Sequence, residues 1–278
     1  MVTGKIFITN LNKIISSVNA LKYSLVEPVL LRIARNKFYS KYNNQSDPLV
    51  SIIIATYNRS NILINRTIPS LLNQTYKNIE IVVIGDQCID DTAYKIKKVL
   101  DPRVKFYDLP KRGKYPDNIR NRWFVQGTKP RNIGMTLASG LWFVFISDDE
   151  ILYPHHIETL LTAGQKGNYE FISAAYEEER EGMVNKVLPL AFDLTKPNLI
   201  CGGMQTWMYR SYLKIFKWNI NSWRKTYNRP VDYDLVIRFN SCGVKMGHIE
   251  DVVGLNPVVE GTNTVGYLAA LQADKLSD

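Results

Sequence analysis

The chain has 278 residues, 45% of them hydrophobic and 22% charged, with 16 Gly and 12 Pro. This is the profile of a globular protein with a substantial core, and it excludes disordered, collagen-like and fibrous classes. The formal net charge is +9, of which +6 falls in residues 1–46, where seven basic residues (Lys5, Lys13, Lys22, Arg32, Arg35, Lys37 and Lys41) meet one acid, Glu27.

That asymmetry predicts an arm that meets an anionic partner such as a phospholipid surface, a phosphorylated substrate or nucleic acid. The bland alternative is a solvated basic helix face. From Leu11 to Ile33 the apolar residues recur at three- and four-residue steps, the helical period, and Pro28 predicts a kink or two short helices. No uninterrupted apolar run reaches the roughly 20 residues of a bilayer span, and residues 1–20 lack a signal-peptide pattern, so the expected location is the cytoplasm. Cys88, Cys201 and Cys242 have no paired zinc spacing and read as reduced, partly buried thiols. The sequons at Asn44, Asn58, Asn65 and Asn73 carry no weight without a secretory route.

Asn43 to Pro48 reads as a linker into an extended segment. Strand and helix then alternate. Val50 to Ala55, Ile79 to Ile84, Val104 to Tyr107 and Leu141 to Ile146 are short and rich in Val, Ile and Phe, and the first, second and fourth are almost continuously apolar, the pattern of strands buried on both faces in a parallel sheet. Ser60 to Gln74, Asp90 to Leu100 and Arg131 to Ser139 carry helical signals. In such sheets ligands bind at the carboxyl ends of the strands, so the loops beginning at Thr56, Gly85 and Ser147 should converge on one crevice. Farther on, Pro154 to Ala163 reads as helix, Tyr169 to Ala175 as strand, Glu177 to Gly182 as a hairpin tip or exposed loop, Gln205 to Tyr209 as extended, Asp232 to Ser241 as helix and Val244 to Ile249 as strand. Residues past Asn263 read as a surface helix or mobile tail.

Three acidic clusters fall where this architecture puts a ligand. Asp86 follows the second strand, and Asp148-Asp149-Glu150 follows the fourth. Adjacent carboxylates at a buried strand end repel one another and call for a cation or hydroxyl donors, a need met by a hard divalent ion bridging to a diphosphate. Asp232-Tyr233-Asp234 opens a late helix, in which Asp234 can pair with Arg238 on the helix surface and leave Asp232 to act as a general base. The helix N-terminus should lower the Asp232 pKa. Between Lys111 and Arg131 lies a basic loop, from which Arg131 is best placed to meet a diphosphate and the others read as solvated. His155 and His156 read as surface residues at a helix start, and His248 as structural.

Taken together these segments resemble the family 2 glycosyltransferases from about Leu49 to Pro257. Val50 to Arg59 looks like the family's opening strand and Thr-Tyr-Asn turn. Ser70 to Tyr76 followed by Glu80 to Ile84 resembles its S-x-L-x-Q-T-Y helix and second strand, and Asp90-Asp91-Thr92 its D-D-T. Pro130 to Gly134 resembles A-R-N-x-G, Ser147 to Glu150 the D-x-D region, and Val231 to Leu235 the E-D-x-D-L motif. Two departures are neutral residues, Ser147 and Val231, where the family often has acids.

The resemblance implies an α/β fold of the GT-A type, a three-layer αβα sandwich with a mostly parallel central sheet, here with an N-terminal helical arm. Its expected divisions are the basic arm 1–46, a nucleotide-sugar half 47–150, an acceptor and base half 151–257, and a tail 258–278. Ala55, Tyr57, Asp86, Arg131 and Asp148 are then expected to bind the donor nucleotide, with Tyr57 stacked on the base and Asp86 bonded to it. Asp149 is the expected metal ligand, with Asp148 and Glu150 as alternatives, for Mg2+ or Mn2+. Asp232 is the expected base, and Gly203, Met204 and Trp207 are expected on the acceptor side. The implied activity is inverting transfer from a nucleotide-diphosphate sugar, UDP-linked by preference, to a saccharide or lipid-linked acceptor in surface polysaccharide or glycolipid synthesis. The arm would make peripheral contact with the inner membrane face, and no nucleic acid is involved. A nucleotide-sugar-binding protein with weakened catalysis is the alternative, and a sugar-phosphate nucleotidyltransferase is disfavoured by the lack of a Gly-rich loop after the first strand.

Overall fold

A computed structural model describes residues 2–43, 46–187, 190–191, 200–224, 229–259 and 261–275. Asn44 and Gln45, within the expected linker and the first sequon, lie outside the described residues. In chain order the elements are α1 (Val2–Asn43), β1 (Val50–Thr56), α2 (Ser60–Ile62), a π-helical turn Leu63–Thr67, α3 (Ile68–Leu72), β2 (Ile79–Gly85), α4 (Thr92–Lys97), β3 (Val104–Asp108), α5 (Ile119–Val125), α6 (Thr128–Leu137) and β4 (Trp142–Ser147). Then come β5 (Ile151–Leu152), α7 (His156–Lys166), β6 (Phe171–Arg180), β7 (Met183–Val187), β8 (Leu190–Ala191), β9 (Ile200–Cys201), β10 (Met208–Arg210), α8 (Val231–Ser241), β11 (Met246–Asn256) and α9 (Gly266–Lys275).

The main sheet runs β3-β2-β1-β4-β10-β6-β11-β5, with β7 paired to β6. β3, β2, β1 and β4 are all parallel, while β10 is antiparallel to both β4 and β6, and β6 pairs parallel with β11. The chain leaves β1 toward β2 and β3 and returns to place β4 on the other side of β1, which makes the carboxyl end of β1 the topological switch point. Strand residues alternate between two cores. Ile53, Ile84, Phe143 and Phe145 face one layer with Trp207 and Phe239. Ile52, Ile54, Val83, Val144 and Ile146 face the other, with Leu63, Leu160 and Leu161. Both faces of the sheet are thus covered, as the continuous apolar runs predict. At Gly134 the helix α6 approaches β1 so closely that a Cβ would stand 2.5 Å from Ile53 Cγ2. This contact seats the helix that carries Arg131 directly on the sheet.

Several expectations are corrected. Helix α1 is a single helix with Pro28 inside it, not two short ones; Glu27 and Leu31, on either side of the proline, are both buried against the body and hold the line of the helix. By length and composition its segment Asn10–Phe38 is apolar enough to cross a membrane, because the scattered polar residues that break every uninterrupted run do not outweigh the apolar ones. Glu177 to Arg180 belong to β6 and pair with β7, so the hairpin tip is only Glu181-Gly182, both at positive φ. Helix α5 has no counterpart in the sequence reading. The Asp234–Arg238 pair forms at 2.9 Å but is buried, not on a helix surface.

His156 is corrected as well. It is fully buried at the start of α7, with Nδ1 3.0 Å from the Val253 carbonyl, whereas His155 is exposed. Burial pushes the His156 pKa down from 6.5 to about 4, so the folded protein holds a neutral imidazole while the unfolded chain protonates first. The stability this gives is fully present above pH 6.5 and is lost as pH falls through about 4, a total of roughly 3 kcal/mol. Urea unfolding across that window is expected to show this acid loss, and His156→Asn to remove it. An unchanged pH slope in the variant would contradict the assignment.

Candidate active site

The carboxyl end of β4 delivers Asp148, Asp149 and Glu150 into the crevice beside the ends of β1 and β2. Asp148 is buried and is met from two sides. Thr56, the last residue of β1, donates its hydroxyl to Asp148 Oδ2 at 2.7 Å, and Arg59 donates to Asp148 Oδ1 at 3.2 Å. The same Arg59 nitrogen lies 2.5 Å from Asp149 Oδ2. Thr67, on the π-helical turn, donates to the backbone carbonyls of Asp148 and Glu150 at 2.9 and 3.1 Å and so fixes the turn that bears the acids. Burial raises the Asp148 pKa, and the neighbouring Asp149 charge adds to the rise.

Glu150 is turned back on its own strand, accepting the Ser147 N–H at 2.7 Å. Burial and the Asp149 charge push its pKa up to about 8. This geometry makes Glu150 a brace of the turn rather than a free ligand, and leaves Asp149 as the part-exposed carboxylate. Among the described residues no group of three or more His, Cys, Asp or Glu is placed to hold a metal ion. A single hard oxygen donor fits Mg2+ or Mn2+ when a diphosphate supplies further ligands, since such ions are held by one or two carboxylates plus substrate phosphates.

Asp86 and Tyr57 stand at the ends of β2 and β1. The Asp86 carboxylate is buried and accepts from the Gly113 N–H at 2.9 Å and the Tyr115 hydroxyl at 2.6 Å. The Arg112 guanidinium lies 3.5 Å from the centre of the Tyr57 ring. The basic loop after β3 therefore folds over the Tyr57 face and the Asp86 carboxylate. Arg112, read from sequence as solvated, is instead stacked on an aromatic. Ala55, half-buried in β1, pairs in register with Ile84 of β2 and Ser147 of β4, at the meeting point of the three strand ends.

Arg131 joins these clusters to Asp232. Its charge feels Asp232, Tyr115, Glu150 and Asp148, in that order, after the desolvation that lowers its pKa. Nη1 donates to the Gln126 carbonyl at 2.9 Å, the guanidinium lies 5.3 Å from the Trp218 ring, and Nε is buried without a hydrogen-bond partner among the described residues. A buried, unpartnered guanidinium N–H is a ready donor to an anion. Asp232 lies in the first turn of α8, accepting the Tyr233 N–H at 2.8 Å. Burial raises its pKa against the opposing backbone bond and Arg131. The expected lowering by the helix N-terminus is therefore overturned by desolvation, and the shift makes Asp232 a stronger proton acceptor.

Trp207 does not line the acceptor side. It is wholly buried, stacked on Trp218 at 6.3 Å, with Nε1 bonded to the Gly202 carbonyl at 2.8 Å. Its large apolar surface serves the core, while Gly203 and Met204 sit at the short 3-10 turn before it. Asp90 and Asp91 are structural: Asp90 accepts the Thr92 N–H at 3.1 Å, and Asp91 pairs with Lys95 at 2.9 Å and with the Ser60 hydroxyl.

Residues 51–243 match the sequence profile described as glycosyl transferase family 2. The chain belongs to this family. Among curated proteins it is 30% identical over 131 residues to the UDP-Glc:alpha-D-GlcNAc-diphosphoundecaprenol beta-1,3-glucosyltransferase WfgD of Escherichia coli, covering 47% of each. It is 30% identical over 142 residues to the GalNAc(5)-diNAcBac-PP-undecaprenol beta-1,3-glucosyltransferase of Campylobacter jejuni, covering 50% of this chain and 41% of that protein. The chain thus spans less than half the length of these relatives. The fold matches S. aureus TarS 1–349 in complex with UDP-GlcNAc at a TM-score of 0.59 and 16% identity, covering 77% of this chain and 60% of that one. It also matches the mannosyltransferase PcManGT of Pyrobaculum calidifontis, in complex with GDP-Man and Mn2+, at 0.57 and 13%, covering 88% and 69%. The fold is α/β, of the GT-A type, with a mixed curled sheet and an added N-terminal helix.

Sequence reasoning gave Arg59, Arg112 and Tyr115 no site role. The signal that could have found Arg59 is an arginine three residues past a strand end that neighbours paired carboxylates, which need a counter-charge. The Arg59→Met variant removes that charge and is expected to lose about 2 kcal/mol of stability, less than a fully buried pair because Arg59 is partly exposed. Added Mn2+ should raise the melting temperature of the variant more than that of the wild type. Equal responses would contradict the role of Arg59 as counter-charge.

Proposed function

We propose that this protein is an inverting glycosyltransferase that moves a sugar from a nucleoside-diphosphate sugar, UDP-linked by preference, to a hydroxyl of a saccharide or lipid-linked acceptor. The observation that carries the reading is Arg131, whose electrostatic neighbours are Asp148 and Glu150 at the end of β4 and Asp232 at the head of α8. Donor-side carboxylates and a base of raised pKa thus face one cation across the crevice. The naming of two relatives as glucosyltransferases acting from or on undecaprenol-linked sugars supports a lipid-linked acceptor and a part in surface polysaccharide or glycolipid synthesis. UDP in one of these names and in the TarS complex supports the choice of donor.

In this mechanism Tyr57 offers its ring face to the base and Asp86 a carboxylate to its imide N–H, the loop at Arg112 to Tyr115 shifting to share them. Ala55 and Asp148 border the ribose. Arg131 donates to the diphosphate. Asp149 would hold Mg2+ or Mn2+, with Asp148 beside it, and the bound cation supplies charge neutralisation to the leaving diphosphate. Asp232 accepts the proton of the acceptor hydroxyl as that oxygen forms its bond to the anomeric carbon from the face opposite the departing phosphate, which inverts configuration. Residues 47–150 form the nucleotide-sugar half and 151–257 the acceptor and base half, with Gly203 and Met204 near the acceptor. The tail is 258–278. The arm 1–46 makes peripheral contact at the inner, cytoplasmic face of the membrane.

The Asp232→Asn variant keeps the shape of the site and removes the base. It is expected to lower transfer by about 10²- to 10⁴-fold, while calorimetric UDP binding in the presence of Mn2+ stays within about twofold of wild type. Chelation of divalent ions should abolish transfer. Transfer that survives both treatments would contradict the mechanism.

A further inference from the structure

Up to Glu27, helix α1 is packed with a polar row inward and an apolar stripe outward; beyond it, Leu31 and Ala34 are buried in the core. The inward row includes Asn12, Asn19, Tyr23 and Glu27 and is tied to the body by ion pairs and hydrogen bonds. Asn12 accepts from Arg224, Glu27 pairs with the buried Arg238, Arg238 also lies over the Tyr23 ring, and Arg35 grips Glu170 at 2.7 and 2.5 Å. At about 100° per residue the opposite side presents Leu11, Ile14, Val18, Leu21, Leu25 and Val29, all exposed, with Leu21 at 61% and Leu25 at 64%. By the same rotation Lys22 borders this stripe and Arg32 falls within it, in line with Ile14, while Lys13 and Lys37 lie farther round toward the body; all four are exposed. Glu27 is the one acid in the helix sequence, and it is turned inward.

We propose that this outer face of α1 lies flat in the headgroup region of an anionic lipid bilayer, with the apolar stripe in the acyl boundary and Lys22 and Arg32 on the phosphates. An exposed apolar stripe that carries Lys and Arg and no outward acid suits an interfacial helix on an anionic surface. A spanning role is excluded in this conformation, because a spanning helix must be apolar all round and the inward row is polar and bonded to the body. Pairing of the stripe with a second copy would bury Arg32 and Lys22 of both copies in the seam with no outward acid of α1 to offset them. An anionic surface satisfies both the stripe and these two cations. The inference deepens the membrane placement proposed above and is independent of the transfer chemistry.

The test is flotation of the full chain with phosphatidylglycerol-containing vesicles and with pure phosphatidylcholine vesicles, at low and high salt. The wild type is expected to float with the anionic vesicles, and binding should fall at least about tenfold in neutral vesicles and in the Leu21→Glu/Leu25→Glu double variant. Those two side chains are exposed, so circular dichroism and melting should be unchanged. Vesicle binding unaffected by the double substitution would overturn the proposal. So would a wild type that ignores vesicles and sediments as a dimer that the double substitution dissolves, the outcome for self-association through α1.

Discussion

Three consecutive carboxylates at the buried end of one strand are the constraint around which this site is arranged. Asp148, Asp149 and Glu150 cannot all be ionised in a water-poor crevice without compensation, because neighbouring like charges and desolvation act in the same direction. The chain answers with different devices for each. Asp148 is held by the Thr56 hydroxyl and Arg59, Asp149 by Arg59, and Glu150 by a backbone N–H and a pKa of about 8. Arg131 adds a more distant positive charge. In the proposed reaction a donor diphosphate would bring further negative charge here, which a divalent cation would offset.

A second buried charge cluster ties α1 to α8. Arg238 of α8 meets Asp234 on its own helix at 2.9 Å and Glu27 on α1. Two acids share one guanidinium, and burial outweighs the pairing to push the Glu27 pKa up to about 7. Asp234 is two residues from Asp232, so the helix that carries the proposed base is tied to α1 through Arg238. Helix α1 is therefore part of the framework that holds α8 and Asp232.

Much of this architecture was legible because its signals are local. Val50 to Ala55, Ile79 to Ile84 and Leu141 to Ile146 are apolar at every position but Ser51 and Glu80, the pattern of a strand covered on both faces, and their carboxyl ends locate Tyr57, Asp86 and Asp148 without knowledge of the tertiary structure. What was not legible depends on long-range placement. The amphipathic pattern of α1 gave its period but not which side faces the body, because the inward partners, Arg224, Arg238 and Glu170, are more than a hundred residues away. The burial of His156 and Trp207 has the same origin. The pKa of Asp232 follows from desolvation by surrounding elements, a quantity that a helix-terminus argument leaves out. Arg112 and Tyr115 read as solvated or unremarked because a loop's contacts are set by the neighbour it folds over.

The central claim is that Asp232 and Arg131 act from opposite sides of one anomeric carbon. The stereochemistry of the first-formed product tests it most directly. With UDP-α-glucose or UDP-α-N-acetylglucosamine and Mn2+, proton NMR of the sugar transferred, or released by slow hydrolysis before mutarotation, is predicted to show the β configuration. A first-formed α product would contradict the single displacement and the role assigned to Asp232.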